Sequence, residues 1–266
     1  MKLVVQGREA YAYTGGKPFD ATRPTLVFVH GAMGDHGVWN LLARWFAHHG
    51  RSVLAVDLPG HMRSAGPALT SVEAMADWLL ELLRAAGVER AALVGHSLGS
   101  LIALQAASRA PTAIDRLVMI GTAVPMPVPQ ALLDLSRKDV HAAIDRVIGF
   151  SFSTLAAKPS FPGPGIWLQG SARSLMRMVA AHSGDPLLFH TDFSACNQYT
   201  GGIAAAAKVD CPAHLILGEF DQMTQARSAN DVARALKAHA HRLPTGHFPM
   251  QEAPDAVLRA LRAALA

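Results

Sequence analysis

Ala91-Ala92-Leu93-Val94-Gly95-His96-Ser97-Leu98-Gly99-Ser100-Leu101-Ile102-Ala103-Leu104 passes from an apolar, β-prone run into a helical one with no loop between them. A serine at such a junction occupies a sharp turn, and its hydroxyl projects from the edge of a sheet. The turn presses backbone against backbone, which accounts for a glycine two residues before Ser97 and another two after it. A helix starting at Leu98 points its unpaired N–H groups and the positive end of its dipole at the same spot. Ser97 is therefore a candidate nucleophile, and the segment is a strand–turn–helix unit.

The same rhythm extends outward in both directions. Residues 25–29, Thr-Leu-Val-Phe-Val, form a continuous apolar run of the kind buried on both faces of a parallel sheet. Further strands are expected at 3–6, 11–13, 52–56, 116–120, 214–217 and 241–243. Helices are expected at 38–49, 71–86, 98–109, 225–237 and from 254 to the end, with Ser71 as an N-cap and Gly50 and Gly87 as terminators. Alternating strands and helices predict an α/β fold with a mostly parallel sheet flanked by helices. The rhythm breaks at Thr122. Pro125, Pro127 and Pro129 open an extended stretch, and helix-like pieces follow at 130–148, 167–181 and 187–199, with a Pro- and Gly-rich segment at 159–165. Residues 122–208 are expected to be a helical cap inserted into a core made of 1–121 and 209–266.

Half of the 266 residues are hydrophobic and 17% are charged, which favours a filled core over disorder. The net charge of +4 is scattered without a Lys/Arg cluster, so no nucleic-acid partner is expected. No apolar run has the length of a membrane span, and the first residues lack the apolar core of a signal peptide, so the expectation is a cytoplasmic protein with no membrane partner. Cys196 and Cys211 form neither a CxxC pair nor a metal spacing and are expected as free thiols. No metal and no cofactor are expected. The sequence leaves the oligomeric state open.

A serine hydroxyl needs a base, and the base needs an orienting acid. Position selects among the thirteen histidines. His247 follows the last expected strand, on a loop at the sheet's carboxyl edge. His30 ends an earlier strand, and His96 adjoins the serine in the tight turn. The acid should follow a strand lying between serine and histidine. Leu215-Ile216-Leu217-Gly218-Glu219-Phe220-Asp221 offers Asp221, with Glu219 as second choice. Acyl transfer also needs N–H donors for a developing oxyanion. Leu98 is one expected donor. The loop His30-Gly31-Ala32-Met33-Gly34 supplies the other, Ala32 first and Met33 second. Met33 and Phe248 flank the catalytic residues, and Trp167 and Phe150, with Phe161, bring apolar surface from the cap. These predict a pocket for an apolar substrate.

With those pieces assembled, the sequence resembles the α/β-hydrolase superfamily. The resemblance rests on His30-Gly31 with Trp39 downstream, Asp57-Leu58-Pro59-Gly60-His61-Met62-Arg63-Ser64, Gly95 to Gly99, Gly218 to Asp221, and Gly246-His247. It implies an eight-stranded sheet, a variable cap, a Ser97–His247–Asp221 triad and no cofactor. Many relatives have glycine at the positions held here by Met62 and Ser100. Serine at position 97 points away from haloalkane dehalogenases and epoxide hydrolases, which use aspartate there. The leading expectation is a serine hydrolase cleaving a small to medium apolar carboxylic ester through an acyl-enzyme. Carbon–carbon hydrolysis of a dione-type substrate and a non-catalytic ligand receptor on the same fold remain alternatives.

Overall fold

The computed structural model describes residues 1–153 and 167–266; Phe161 and the Pro- and Gly-rich segment at 159–165 lie outside the described residues. The chain folds as β1 (Lys2–Val5), β2 (Arg8–Tyr13), β3 (Thr25–Val29), α1 (Asn40–His48), β4 (Ser52–Val56), α2 (Val72–Ala85), β5 (Ala91–His96), α3 (Leu98–Arg109) and β6 (Ile114–Ile120). Then follow α4 (Gln130–Lys138), α5 (Val140–Ser151), α6 (Leu168–His182), α7 (Leu188–Gln198) and α8 (Gly202–Ala206). The last elements are β7 (Ala213–Gly218), α9 (Asn230–Ala235), β8 (His239–Leu243), α10 (Pro249–Glu252) and α11 (Pro254–Ala264).

The eight strands form one sheet in the order β1-β2-β4-β3-β5-β6-β7-β8. β1 and β2 are antiparallel to each other, and β2 is antiparallel to β4. The other neighbours are parallel, as the alternating sequence predicts. β3, β4 and β5 are buried along their whole length, which is why their sequences are apolar without alternation. One face of the sheet carries α2, α3 and α9 over Val27, Leu54, Leu93 and Leu215. The other carries α1 and α11 over Leu26, Phe28, Val94 and Ile216 and continues into the helices between β6 and β7. Each fully buried Val, Leu or Phe contributes about 1.5–3 kcal/mol.

Local chemistry sets the element ends. Ser71 Oγ accepts the Ala74 N–H at 3.2 Å and starts α2. The helix expected over 130–148 is two helices, because Asp139 leaves the helical region and caps α5 by accepting the Ala142 N–H at 2.9 Å. The helix expected over 38–49 begins as a 3-10 turn, His36–Trp39, capped by Asp35. α8 was not anticipated. It falls within 122–208 but packs on α3 and α9, with Ala205 and Ala206 buried in the same cluster as the sheet, so it belongs physically with the core.

The β5–α3 junction is the tightest place in the fold. Ser97 sits at φ 52°, ψ −119°, a region that costs about 1–3 kcal/mol for a residue with a side chain. A Cβ on Gly95 would collide with the backbone of Gly99, and one on Gly99 would collide with the carbonyls of Val29 and His30. Gly149, in contrast, is an exposed residue of α5 whose added Cβ meets nothing within 4 Å. Gly99→Ala should therefore abolish the folded state or lower stability by more than about 4 kcal/mol. Gly149→Ala should leave it unchanged or raise it by up to about 1 kcal/mol. Chemical denaturation of the two variants tests the contrast, and a stable, active Gly99→Ala protein would refute the steric account.

Candidate active site

The carboxyl ends of the parallel strands bring three loops together. Across 91–104, Ser97 is the one residue that is partly exposed. Its N–H donates to Ile120 O at 2.9 Å, so the turn stays hydrogen-bonded to β6 while the side chain faces outward. Ser100 Oγ donates to the Ser97 carbonyl at 2.6 Å and shares a hydrogen bond with Thr122 Oγ1 at 2.8 Å. Serine at position 100 thus braces the elbow from the first turn of α3. Met62, the other position where relatives often carry glycine, lies at φ 42°, in the left-handed region that favours glycine.

Asp221 lies just past β7 and is 4% exposed, whereas Glu219 is exposed. His247 Nδ1 donates to Asp221 Oδ2 at 2.9 Å. Asp221 Oδ1 accepts the N–H groups of Met223 and Thr224, both at 2.8 Å, and its Oδ2 accepts the Thr224 hydroxyl at 2.7 Å. Burial alone pushes this carboxyl up. His247 and the Thr224 hydrogen bonds outweigh burial and hold it below the usual carboxylate range. Asp221 is therefore an ionised acceptor held by several donors, and His247 Nε2 has no hydrogen-bond partner among the described residues. The structure brings His247 and Asp221 together and leaves Glu219 outside.

The His247 loop has further supports that sequence reasoning missed. Glu252 is 1% exposed, accepts the Gly246 N–H at 2.9 Å, and also accepts the Ser153 hydroxyl at 2.8 Å. The His247 N–H donates to Ser151 O at 2.7 Å, at the end of α5. A buried glutamate six residues after Gly246 carries no sequence signal that separates it from a solvated helix residue.

The other histidines near the serine play structural parts. His96 Nε2 donates to the His247 carbonyl at 2.8 Å. His30 Nε2 accepts the Leu58 N–H at 3.0 Å, so its Nδ1 carries the proton and donates to Gly31 O at 2.8 Å. Burial, reinforced by His61, lowers His30 to about 4, and burial, reinforced by His247, lowers His96 to about 3. Both rings are neutral at pH 7 and both nitrogens of His30 are occupied.

Residues 31–34 form a turn closed by Gly34 N–H to Gly31 O at 3.1 Å. Its third residue, Met33, stands at φ 55°. The Met33 N–H is taken up by Asp192 Oδ2 at 2.8 Å. That removes Met33 as an oxyanion donor and leaves the Ala32 N–H without a hydrogen-bond partner among the described residues. The Leu98 N–H, first in α3, has no helical partner by geometry. Gly31 lies so close to the elbow that an added Cβ would be 3.0 Å from the Ser97 Cβ.

Beside this turn is an apolar cavity lined by Met33, Val38, Leu175, Met176 and Phe248, with His96 and Gln251 at its wall. Its free volume is about 10 Å³, room for about one water molecule. Gln251 Oε1 is buried without a hydrogen-bond partner among the described residues. Met33 and Phe248 thus line the same cavity. Phe150 lines a different groove of about 320 Å³, with Val128, Leu132, Phe193 and Met223. Trp167 lines neither. It is half exposed, lies under the Arg173 guanidinium at 5.3 Å, and precedes the inward stripe Leu168, Ala172, Met176 and Val179 of α6. The stripe, not the large aromatic before it, faces the site.

Asp35, His36 and Asp57 are the one group among the described residues whose donor atoms are close enough for a metal, within 4.8 Å of one another. They are also joined by hydrogen bonds to one another and to nearby backbone. Asp57 accepts from the His36 N–H and ring at 2.8 Å and from the Arg63 N–H at 3.2 Å, and Asp35 accepts the Gly37 N–H at 2.7 Å.

A family model described as the alpha/beta hydrolase fold matches residues 24–254. The chain belongs to the alpha/beta hydrolase fold family. It is 39% identical over 102 residues to the sn-1-specific diacylglycerol lipase ABHD11 of Mus musculus, a match covering 38% of this chain and 33% of that protein. It is 34% identical over 148 residues to the putative carbamate hydrolase RutD of Klebsiella pneumoniae, covering 54% and 53%. The chain thus spans between 33% and 53% of the length of these curated relatives. The enol-lactonase of Burkholderia xenovorans LB400 superimposes with a TM-score of 0.85 over 100% of this chain and 99% of that one, at 21% identity. Curated relatives of this chain are named as a lipase and as a putative esterase/lipase. No helix among the described residues is long and apolar enough to cross a membrane.

The two neutral histidines have a measurable consequence. When the protein unfolds below pH 6.5, His30 and His96 are free to take up protons that they refuse in the fold. The unfolded state binds more protons, so stability falls as pH falls from 6.5 toward 4. Between pH 6 and 5 these two histidines should together contribute about two protons to the slope, about 1.4 kcal/mol per pH unit for each. His96→Gln, which can still donate to the His247 carbonyl, should lower it by one proton. Urea unfolding across this range checks the slope, and a flat profile would contradict it.

Proposed function

We propose that this hydrolase cleaves small to medium apolar carboxylic esters through an acyl-enzyme on Ser97. The observation that carries the reading is the partly exposed Ser97 hydroxyl on a strained elbow, at the same sheet edge as a buried, hydrogen-bonded Asp221–His247 pair. Ser97 Oγ attacks the ester carbonyl while its proton passes to His247 Nε2. Asp221, ionised and bonded to Nδ1, stabilises the imidazolium and fixes its tautomer. The carbonyl oxygen becomes an oxyanion and accepts the N–H groups of Ala32 and Leu98, each donor worth about 3–4 kcal/mol in comparable sites. Collapse breaks the bond to the alcohol oxygen, which takes the proton from His247. Water then attacks the acyl-enzyme by the same steps, releasing the acid and restoring Ser97.

The apolar cavity supports an acyl group without charge, and Met33 and Met176 can repack around one because their side chains are unbranched and flexible. Gln251 Oε1 offers a single acceptor to a substrate hydroxyl or N–H. The names of similar proteins include an sn-1-specific diacylglycerol lipase and a putative carbamate hydrolase.

A fluorophosphonate should label Ser97 with one equivalent, and Ser97→Ala should lose both label and turnover while remaining folded. Mass spectrometry of the labelled peptide decides, and label on another serine would overturn the assignment. Asp221→Asn should cost at least about 10²-fold in kcat. Glu219→Gln should remain within about two-fold of the parent, and the reverse order in steady-state kinetics would make Glu219 the acid. p-Nitrophenyl butyrate should exceed acetate in kcat/KM by about ten-fold. Met176→Ala, which enlarges the cavity, should move the optimum to longer acyl chains. A preference for acetate in both proteins would refute the assignment of this cavity to the acyl group.

A further inference from the structure

Asp192 belongs to α7, in the helical insertion, yet its carboxylate is fully buried at the edge of the core. Its Oδ2 accepts the Met33 N–H at 2.8 Å and faces His61 Nε2 at 3.0 Å. The other ring nitrogen of His61, itself 1% exposed, faces Pro59 O at 3.2 Å. Both nitrogens of His61 thus look at acceptors, the arrangement of a doubly protonated ring. Burial alone would push His61 down, but the Asp192 carboxylate beside it outweighs burial and raises it. The charge balances, and still the pair is an unusual choice. A buried ion pair gives little net stability, because desolvation offsets the attraction. Asp192 Oδ1 is also left without a hydrogen-bond partner. Stability alone gives no reason to retain such a group.

The backbone it holds gives one. Residues 31–34 turn through Met33 at φ 55°, a conformation that needs support in a residue with a side chain. The turn is gripped on both sides. The Gly31 carbonyl accepts from His30 Nδ1 and from the Gly34 N–H. The peptide unit is planar and trans, so fixing that carbonyl directs the Ala32 N–H the opposite way. The next peptide is fixed through the Met33 N–H by Asp192. Releasing the second grip frees the Ala32–Met33 unit and removes the support of the left-handed Met33, which loosens the turn that brings the Gly34 N–H onto Gly31 O and leaves the Gly31–Ala32 peptide with His30 Nδ1 as its remaining hold.

We propose that Asp192 is a positioning residue that holds the candidate oxyanion loop from the cap, keeping Met33 in its left-handed conformation and so the 31–34 turn on which the alignment of the Ala32 N–H depends, while α7 is seated on the core. This rests on the assignment of Ala32 to the oxyanion hole made above. Asp192 does not touch the reacting atoms. It acts through Met33, and His61 keeps its carboxylate charged and aimed. The cap is then a determinant of rate as well as of substrate fit.

The test compares Asp192→Leu, which removes the acceptor at similar volume, with Asp192→Asn, which keeps an oxygen for the Met33 N–H. Steady-state kinetics on a p-nitrophenyl ester should give Asp192→Leu a kcat lower by about 10- to 100-fold, with KM within about three-fold. Binding of an aryl trifluoromethyl ketone, which forms a tetrahedral oxyanion on the serine, should weaken in parallel. Asp192→Asn should recover kcat to within about five-fold of the parent. Should Asp192→Leu fail to fold, Asp192→Ser, too short to reach the Met33 N–H, is expected to show the same split. A folded Leu or Ser variant with unaltered kcat overturns the proposal. So does a loss confined to KM, or an equal loss of kcat in Asn and Leu, since neither depends on the hydrogen bond. Fluorophosphonate labelling of the parent at Ser97 separates the two readings. If the parent is unlabelled there, the nucleophile assignment has failed; if it is labelled and the variants are unaffected, only the role of Asp192 has failed.

Discussion

The contact on which the rest of the site depends is backbone against backbone at the turn between β5 and α3. Gly95 and Gly99 let the strand and helix meet so closely that Ser97 is forced to φ 52°. Gly99 also brings α3 against the end of β3, and Gly31 then lies beside Ser97. One steric constraint thus sets three things together. It projects the serine, aims the first N–H groups of α3, and brings the loop after β3 within reach. The strain, about 1–3 kcal/mol, is held by a sheet whose three central strands are wholly buried.

Around that turn, the polar groups are organised by what burial does to charge. His30 and His96 are fully enclosed, lose their charge and serve as directional hydrogen-bond groups. His61 is just as enclosed but faces Asp192, and burial is outweighed. Asp221 is buried and remains ionised because His247 and Thr224 surround it. The same residue type takes opposite states within a few ångströms; the His30 and His61 ring centroids are 4.9 Å apart. Partner geometry, not residue identity, separates a neutral brace from a charged one.

The helices between β6 and β7 reach both the His247 loop and the 31–34 loop. Ser151 O, at the end of α5, accepts the His247 N–H, and Asp192 in α7 accepts the Met33 N–H. α6 meanwhile supplies Ala172, Leu175 and Met176 to the cavity wall. With about 10 Å³ free beside the turn, entry of an acyl chain requires these side chains to move. The insertion is therefore mechanically joined to the site on two sides while also lining it.

Much of this was legible in the sequence, because it is written in local patterns. The buried strands β3, β4 and β5 read as apolar runs, and α3 begins where the periodicity changes, at Leu98. Ser97, Asp221 and His247 were selected by their places after strands, and parallel topology carries strand ends to one edge whatever the details. Ala32 was preferred over Met33, but only the fold gives the reason: a carboxylate 159 residues away in the chain occupies the Met33 N–H. Glu252, Asp192 and His61 had no local signature, since a buried acid reads like a solvated one until its partners are known. Trp167 was misread for the same reason. Its size suggested a pocket wall, but a residue just ahead of α6 lies off the inward stripe, and the stripe's direction is fixed by packing against other elements. Patterns of three to five residues determine the elements and the strand-end chemistry. Contacts between distant segments decide which groups are charged, which N–H is free and how much space is left, because each depends on desolvation and partner geometry that exist only after the chain has closed on itself.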